Sequence, residues 1–463
     1  MAENLPQGAA PQENKMGVLP IGRLLANMAI PMMISMLVQA CYNVVDSVFV
    51  AQLSEDALNA VSMAFPLQNL MSAFGSGTAV GINALLSRSL GEKNQAMADR
   101  AANTGIFLAL CNFVVFAVIG IFFSRTFFEL QAGGEQVIID YGVDYASICL
   151  GCSIGIFSQF CFERLLQSTG RTFLAMCTQL TGALINIVLD PILIFGWFGL
   201  PRMEVAGAAI ATVAGQIVAA AAALVLNLKC NPDIHILPRE IRWHGKVAAE
   251  IYRVGFPSIV MQSIGSAMVF GMNKILFGFT KTATAVFGAY FKLQSFVFMP
   301  VFGLNNGMVP IVGYNYGAAS LPRVKRTIKL TICTAVAIMA VGFLIFQLFP
   351  QQLLLFFNAS EEMLSIGSVA LRVISVSFML AGFDIIAGSV CQAIGNPLYS
   401  LITSVCRQLV VLLPVAWLLS HTGNLTLVWL AFPISELVSL LLSAVFLRRT
   451  MRAVTARIGG QQA

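Results

Sequence analysis

The run "LKCNPDIHILPREIRWHGKVAAE", residues 228–250, is the longest hydrophilic stretch inside a chain of 463 residues. It is rich in charge and punctuated by Pro232 and Pro238, and its neighbours on both sides are apolar. Long apolar runs recur from residue 26 to residue 447, each near the roughly 20 residues that a bilayer-spanning helix needs. The whole chain is 58% hydrophobic and only 10% charged, with a mean hydropathy of +0.82. A water-soluble domain would carry about a quarter charged residues, so this surface cannot be covered with charge and its solvent is largely lipid. The alternating segments of about ten residues that mark a membrane barrel are absent. The expected fold is an all-α integral membrane protein, with 228–250 as a linker outside the bilayer.

Outward from that linker, six spans fall on each side. They lie near 26–50, 60–86, 103–123, 137–160, 173–195 and 205–227, then near 250–279, 285–312, 327–349, 364–389, 398–419 and 426–447. Lys and Arg test the count. With the N-terminus cytoplasmic, the cytoplasmic loops hold groups such as Arg88, Lys93 and Arg100, then Lys229, Arg239, Arg242 and Lys246, then Arg323, Lys325, Arg326 and Lys329. The outer side keeps Arg125, Arg202 and Lys281 beside acids such as Glu55, Asp56, Glu361 and Glu362. That split is the positive-inside pattern. The net charge of +6 is thus a topology signal with both termini inside, and no nucleic-acid partner is implied.

The two halves repeat. A shift of 226 residues puts Pro31 on Pro257, Phe65 on Phe291, Gln68 on Gln294, Gly81 on Gly307 and Gly91 on Gly317. Since each half has an even number of spans, the repeats enter the membrane from the same side, a design that places a cavity between two bundles. The expected organisation is a cytoplasmic tail (1–23), an N-lobe of helices 1–6 (24–227), a cytoplasmic linker (228–249), a C-lobe of helices 7–12 (250–447) and a basic cytoplasmic tail (448–463). The first 19 residues are polar, Pro/Gln/Asn-rich and without an apolar core, so they read as a short disordered tail and not as a signal peptide. The ten cysteines fall mostly in apolar runs without a CxxC pair, and read as small packing residues.

Ionisable groups inside the spans are few: Asp46, Glu163, Asp190, Lys274, Lys292, Arg372, Asp384, Arg407 and Glu436. A charge at mid-bilayer costs a few kcal/mol even on lenient insertion scales, so each should face a cavity or a partner. Asp46 shares a helical face with Gln39 and Asn43, and Asp190 shares one with Asn186. Thr212 and Gln216 repeat the spacing on the sixth span. Pro191 lacks an N–H, which frees the carbonyl of Ile187. Two carboxylates, an amide, a hydroxyl and a freed carbonyl are a hard-oxygen set that suits Na⁺ and equally a proton shared between acids. For Glu163, beside Arg164 near the end of span four, a snorkelling role stays open. In the second half Lys274, Lys292 and Arg407 stand against Asp384, a different balance of charge. Abundant Phe and Met on most spans read mainly as packing, although such side chains also line cavities for flat organic compounds.

These residues resemble the MATE (multidrug and toxic compound extrusion) family, bacterial type, over nearly the whole chain. The carriers are "IPMMISMLVQACYNVVDSVFVAQL" on span one, "LLQSTGRTFLAM" after span four, "NIVLDPILIFG" on span five and "VAGAAIATVAGQ" on span six. In the second half "GFPSIVMQ", "YFKLQSFVFMP" and "CQAIGNPLYSLITSVCRQLVVLLP" fit as well. The resemblance implies two six-helix lobes around a cavity, in the bacterial cytoplasmic (inner) membrane, and antiport of organic compounds against Na⁺ or H⁺. It implies cation coupling at Asp46, Asn186, Asp190 and Thr212. Glu163 stands where many members carry Asn, and Gln167 where Arg is usual. Span seven carries Asn273 and Lys274 where certain members have an acid.

The expected function is therefore a monomeric antiporter for cationic, amphipathic compounds, without cofactor and not an enzyme. Its coupling residues are expected to be Asp46, Asn186, Asp190, Thr212 and Glu163. The expected substrate cavity includes Gln39, Asn43, Gln68, Lys274, Lys292, Gln294, Asp384 and Arg407. Pro31, Pro191 and Pro257 are expected to bend their helices. A lipid-linked saccharide flippase or polysaccharide exporter stays open because of the C-lobe cations, and so does a receptor or structural role. His235, His244 and His421 form no ligand spacing, and no Walker A sequence is present, which argues against a membrane enzyme and against direct use of ATP.

Overall fold

A computed structural model of the chain describes residues 14–131, 135–357 and 359–462, which form helices and short connections with no strand among them. Inside hydrocarbon each backbone N–H and C=O must be satisfied within its own segment, and a helix does this. A short α1 (Lys15–Val18) leads into α2 (Ile21–Ala51), α3 (Glu55–Gly91) and α4 (Gln95–Gln131). The fourth crossing is shared by α5 (Gln136–Gly151) and α6 (Ile154–Ser168), bent by 41° at their junction. Helices α7 (Thr172–Phe195) and α8 (Glu204–Cys230) complete the first half. The second half holds α9 (Gly245–Phe277), α10 (Lys281–Gly317), α11 (Leu321–Leu348) and a short α12 (Pro350–Leu355). Its bent pair is α13 (Glu361–Ser375) and α14 (Phe378–Ala393), at 47°. The next crossing joins α15 (Pro397–Val405) and α16 (Leu413–Ser420) through a π-helical stretch, Cys406–Leu412. A short α17 (Leu425–Trp429) precedes α18 (Ala431–Gln462). Ten crossings by single long segments and two by bent pairs make twelve among the described residues. Each lies where the sequence predicts one.

The repeat reaches the level of single caps. Helices α3 and α10 each have 37 residues. The Ser54 hydroxyl accepts from the Ala57 N–H at the start of α3, and the Thr280 hydroxyl accepts from the Ala283 N–H at the start of α10, both at 3.0 Å. The turns after these helices repeat too, with Lys93 at φ 56° and Ala319 at φ 54°.

Two hydrophobic cores form, and they do not divide the chain cleanly at the linker. One gathers residues from Val50 to Ala223 and adds Val247, Ala248 and Ile251 from the start of α9. The other gathers the second half and adds Leu24, Leu25, Met28 and Ala29 from the start of α2. The first turns of α2 and α9 are thus exchanged between the halves. Where the ends of α3 and α10 cross, a Cβ on Gly91 would collide with the Tyr314 carbonyl, and one on Gly317 with the Arg88 carbonyl. Only glycine permits that approach. Ion pairs Arg88–Glu250 (3.2 Å) and Arg457–Glu92 (3.3 Å) close the same face.

The tails depart from expectation. Residues 1–13 lie outside the described residues, but residues 14–19, expected to be disordered, are ordered between the halves. Met16 is fully buried. The Met16 carbonyl accepts from Asn315 Nδ2 (3.1 Å) and Arg323 Nη2 (2.9 Å), and the Leu19 carbonyl from Arg323 Nη2 (2.8 Å). On the other side Asn14 Nδ2 donates to the Thr169 carbonyl and to Asp233 Oδ1, both at 3.2 Å. The polar composition concealed this because the burying partners lie up to 300 residues away. The basic stretch 448–463, expected as a tail, continues α18 as a helix through Gln462.

Arg323→Ala should leave two backbone carbonyls and Asn315 Oδ1 short of a donor. Each buried polar group left unpaired costs about 1–3 kcal/mol. A lower thermal midpoint in detergent, with faster amide exchange at residues 15–19, is the expected result; unchanged exchange there would show that Arg323 does not hold residues 14–19, the N-terminal strap.

Candidate functional site

A cavity of about 630 Å³ opens among α2, α3, α5, α6, α7 and α8. Its charged lining side chains are Asp46 and Glu163, with no Lys or Arg. Val50 and Leu58, at the ends of α2 and α3 remote from the strap and linker, line one end.

Helix α7 supplies one wall. It runs through Pro191 without a break and stops at Gly196, whose φ of 73° ends it in a left-handed cap. Asn186 Nδ2 lies 3.3 Å from Thr212 Oγ1 on α8 and 3.5 Å from Asp190 Oδ1 one turn along. Asn186 and Thr212 line the cavity, whereas Asp190 is fully buried behind them. From α2, which packs along α7, Asp46 lines the same cavity as Asn186. Asp46 Oδ1, Asn186 Oδ1 and Asp190 Oδ2 are buried without a hydrogen-bond partner. Two neighbouring carboxylates with unpartnered oxygens are unstable in a low-dielectric site unless a cation or proton joins them. Hard oxygen donors suit Na⁺ or H⁺ and not a soft metal.

The other end of the cavity carries Glu163. It is 5% exposed, and its Oε1 accepts from Gln159 Nε2 at 2.9 Å and from Thr178 Oγ1 at 3.4 Å. Arg164 points elsewhere, donating to Asn306 Oδ1 of α10 across the interface at 3.1 Å. Gln39 and Asn43 line the wall between the acids, and Gln179 Nε2 donates to Gln39 Oε1 at 3.1 Å. Gln68 also lines it, donating to the Tyr145 hydroxyl at 3.0 Å. Tyr42, Tyr145, Gln159 and Gln179 are lining residues the sequence reading did not single out. Of these, Gln159 was findable, because it stands one helical turn before Glu163.

Lys274, Lys292, Gln294, Asp384 and Arg407 lie outside that lining. Lys292 Nζ sits 5.9 Å from the centre of the Phe357 ring. Lys274 is exposed near the end of α9. Arg407, in the π-helical stretch, pairs with Glu436 of α18 at 3.0 Å. Asp384 is 6% exposed, and both its carboxylate oxygens are buried without a hydrogen-bond partner. Like Pro191, Pro31 and Pro257 each lie within an unbroken helix.

A sequence model of the MatE family matches residues 31–192 and again 257–418. Both matched segments fall on the two halves of the repeat. The chain belongs to the MatE family. Among its relatives, the probable multidrug resistance protein YoeA of Bacillus subtilis is 28% identical over 91% of this chain and 92% of its own length. The multidrug export protein MepA of Staphylococcus haemolyticus is 26% identical over 93% and 94%. A protein named FAD transporter from Shewanella oneidensis is 26% identical over 90% and 92%. A crystal structure of MATE in complex with MaL6 superposes with a TM-score of 0.90 at 25% identity, covering 96% of this chain and all of the other. The fold is therefore the two-lobed, twelve-helix membrane fold of MATE transporters.

Breaking the Arg407–Glu436 pair tests how the second half is held. Arg407→Ala leaves a partly buried carboxylate unpaired, for which a loss below the roughly 3–5 kcal/mol of a fully buried pair is expected. Adding Glu436→Gln should recover much of that loss in a thermal-shift measurement. A double variant as unstable as the single one would show that the guanidinium acts through packing alone.

Proposed function

We propose that this chain is a secondary active antiporter of a bacterial cytoplasmic membrane, exporting organic, cationic, amphipathic compounds in exchange for Na⁺ or H⁺. The observation that carries the reading is a cavity whose charged lining side chains are carboxylates, backed by the Asp190–Asn186–Thr212 cluster. In the proposal residues 24–227 and 250–447 move as two lobes joined by 228–249. Both termini are cytoplasmic, and the strap-and-linker face is the cytoplasmic gate. The closed packing of that face and the cavity end at Val50 and Leu58 support an outward-facing state.

An ion arriving from outside is co-substrate. It binds between Asp46 and Asp190, relieves their repulsion and favours the state in which the organic cation has been released outward. Exposure to the cytoplasm discharges the ion, and the acidic cavity takes up cationic substrate again. Tight binding alone shifts nothing; ion and substrate must prefer different states or compete for one charge. The work is transport, with no bond made or broken. The relative named FAD transporter brings an anionic cargo to mind. A pyrophosphate would meet two carboxylates and no basic lining residue here, which favours the cation reading.

The test is efflux of a fluorescent organic cation from proteoliposomes, with Na⁺ and pH gradients imposed separately. One gradient should drive efflux in the wild type. Asp190→Asn should reconstitute normally and give no gradient-driven efflux; full transport by that variant defeats the proposal. Asp46→Asn should behave alike, and normal transport by it would move the coupling centre to Asp190 and Glu163.

A further inference from the structure

The cavity has two acidic poles, and they are separate. The side chains bonded to Glu163 are those of Gln159 and Thr178, and neither Asp46 nor Asp190 is among them. Thr178, which touches Glu163, lies about 18 Å from Asp190 along α7 at the α-helical rise. Between the poles stand the neutral amides of Gln39 and Gln179. A hydrated or bare Na⁺, or a proton, cannot bridge that span.

The surroundings of Glu163 differ in kind from those of the outer pole. At the outer pole three oxygens lack partners, which is what a small ion needs. Glu163 Oε1 accepts from the Gln159 amide at 2.9 Å and lies 3.4 Å from the Thr178 hydroxyl, which also donates to the Ala175 carbonyl at 2.8 Å, and the Arg164 guanidinium donates to Asn306 in the opposite half. The result is a carboxylate fixed in place, with no cation within ion-pair distance among the described residues, that lines a cavity of about 630 Å³. Fixed orientation with one charge left over recognises a bulky cation. Such a cation cannot enter an oxygen cage, but it gains from a charge in a cavity whose lining includes Phe160, one helical turn before Glu163.

We infer that Glu163 is the specificity-determining charge for the organic cation, and that the coupling ion binds at the other pole without occupying it. The inference rests on the antiport reading above and divides its labour. Substrate and ion do not contest one carboxylate; they occupy opposite ends of one cavity, and their coupling runs through the preference of each for a different state of the two lobes. Arg164 joins the substrate pole to that equilibrium, because it follows Glu163 directly and bonds Asn306 across the interface.

Ethidium, a planar monocation, is the probe. In reconstituted full-length protein Glu163→Gln keeps an acceptor for Gln159 and Thr178 and removes the charge. It should raise the ethidium KM about tenfold or more, equivalent to about 1.4 kcal/mol, and leave the half-activating concentration of the coupling ion unchanged. Glu163→Asp should restore part of the loss, which a packing defect would not allow. Equal shifts in ethidium KM and ion half-activation, or an ethidium KM within twofold of wild type, would overturn the assignment. A second measurement needs no variant. In detergent-solubilised wild type, saturating Na⁺ or protons should lower ethidium affinity to a plateau, as coupling between sites requires, and unlimited one-for-one displacement would place both on one carboxylate. If wild-type liposomes move no ethidium under either gradient, antiport fails, while the binding measurement still decides the role of Glu163.

Discussion

No water reaches the middle of a bilayer to solvate an amide or a carboxylate, and the rest of this structure follows from that scarcity. The backbone responds by forming helices throughout the membrane. The side chains respond in two ways. Where a charge serves the frame, as at Arg407 and Glu436, it is met by an opposite charge at 3.0 Å. Oxygens are left unpartnered at Asp46, Asn186 and Asp190 around the cavity, and at Asp384 and Glu436 in the second half.

The duplicated plan limits how those groups are arranged. Caps, turns and helix lengths of α3 and α10 match almost residue for residue, so the halves share one geometry. Their chemistry differs. The cavity lies in the first half, while the second half carries the Arg407–Glu436 pair and the buried Asp384. The π-helical stretch at Cys406–Leu412 turns Arg407 toward α18 within an otherwise α-helical crossing.

Span count and repeat were legible in the sequence because each depends on composition summed over twenty or more residues. The pairing of Asp190 with Asn186 was legible too, since one helical turn joins them. Contacts between distant segments were not. Nothing local in the Met16 region announces burial, because Arg323 and Asn315 supply the partners. Lys292 reads as a cavity cation from its span alone, and only the fold shows its ammonium over the Phe357 ring. Glu163 and Arg164 are adjacent in sequence yet face a cavity and an interface respectively, a division that helical phase permits but does not specify.

The exchange of helix starts between the two cores has a consequence for how the protein is made. Leu24, Leu25, Met28 and Ala29 enter the membrane with the first helix, but their packing partners begin at Met268. Val247, Ala248 and Ile251, made later, complete a core whose other members are already in place. The earliest helix to be inserted is therefore the last to be fully packed. During synthesis its inner turns face lipid, which their apolar character tolerates, and they are withdrawn only when the second half arrives. Packing of these turns therefore waits on the second half, and the N-terminal strap lies between the two.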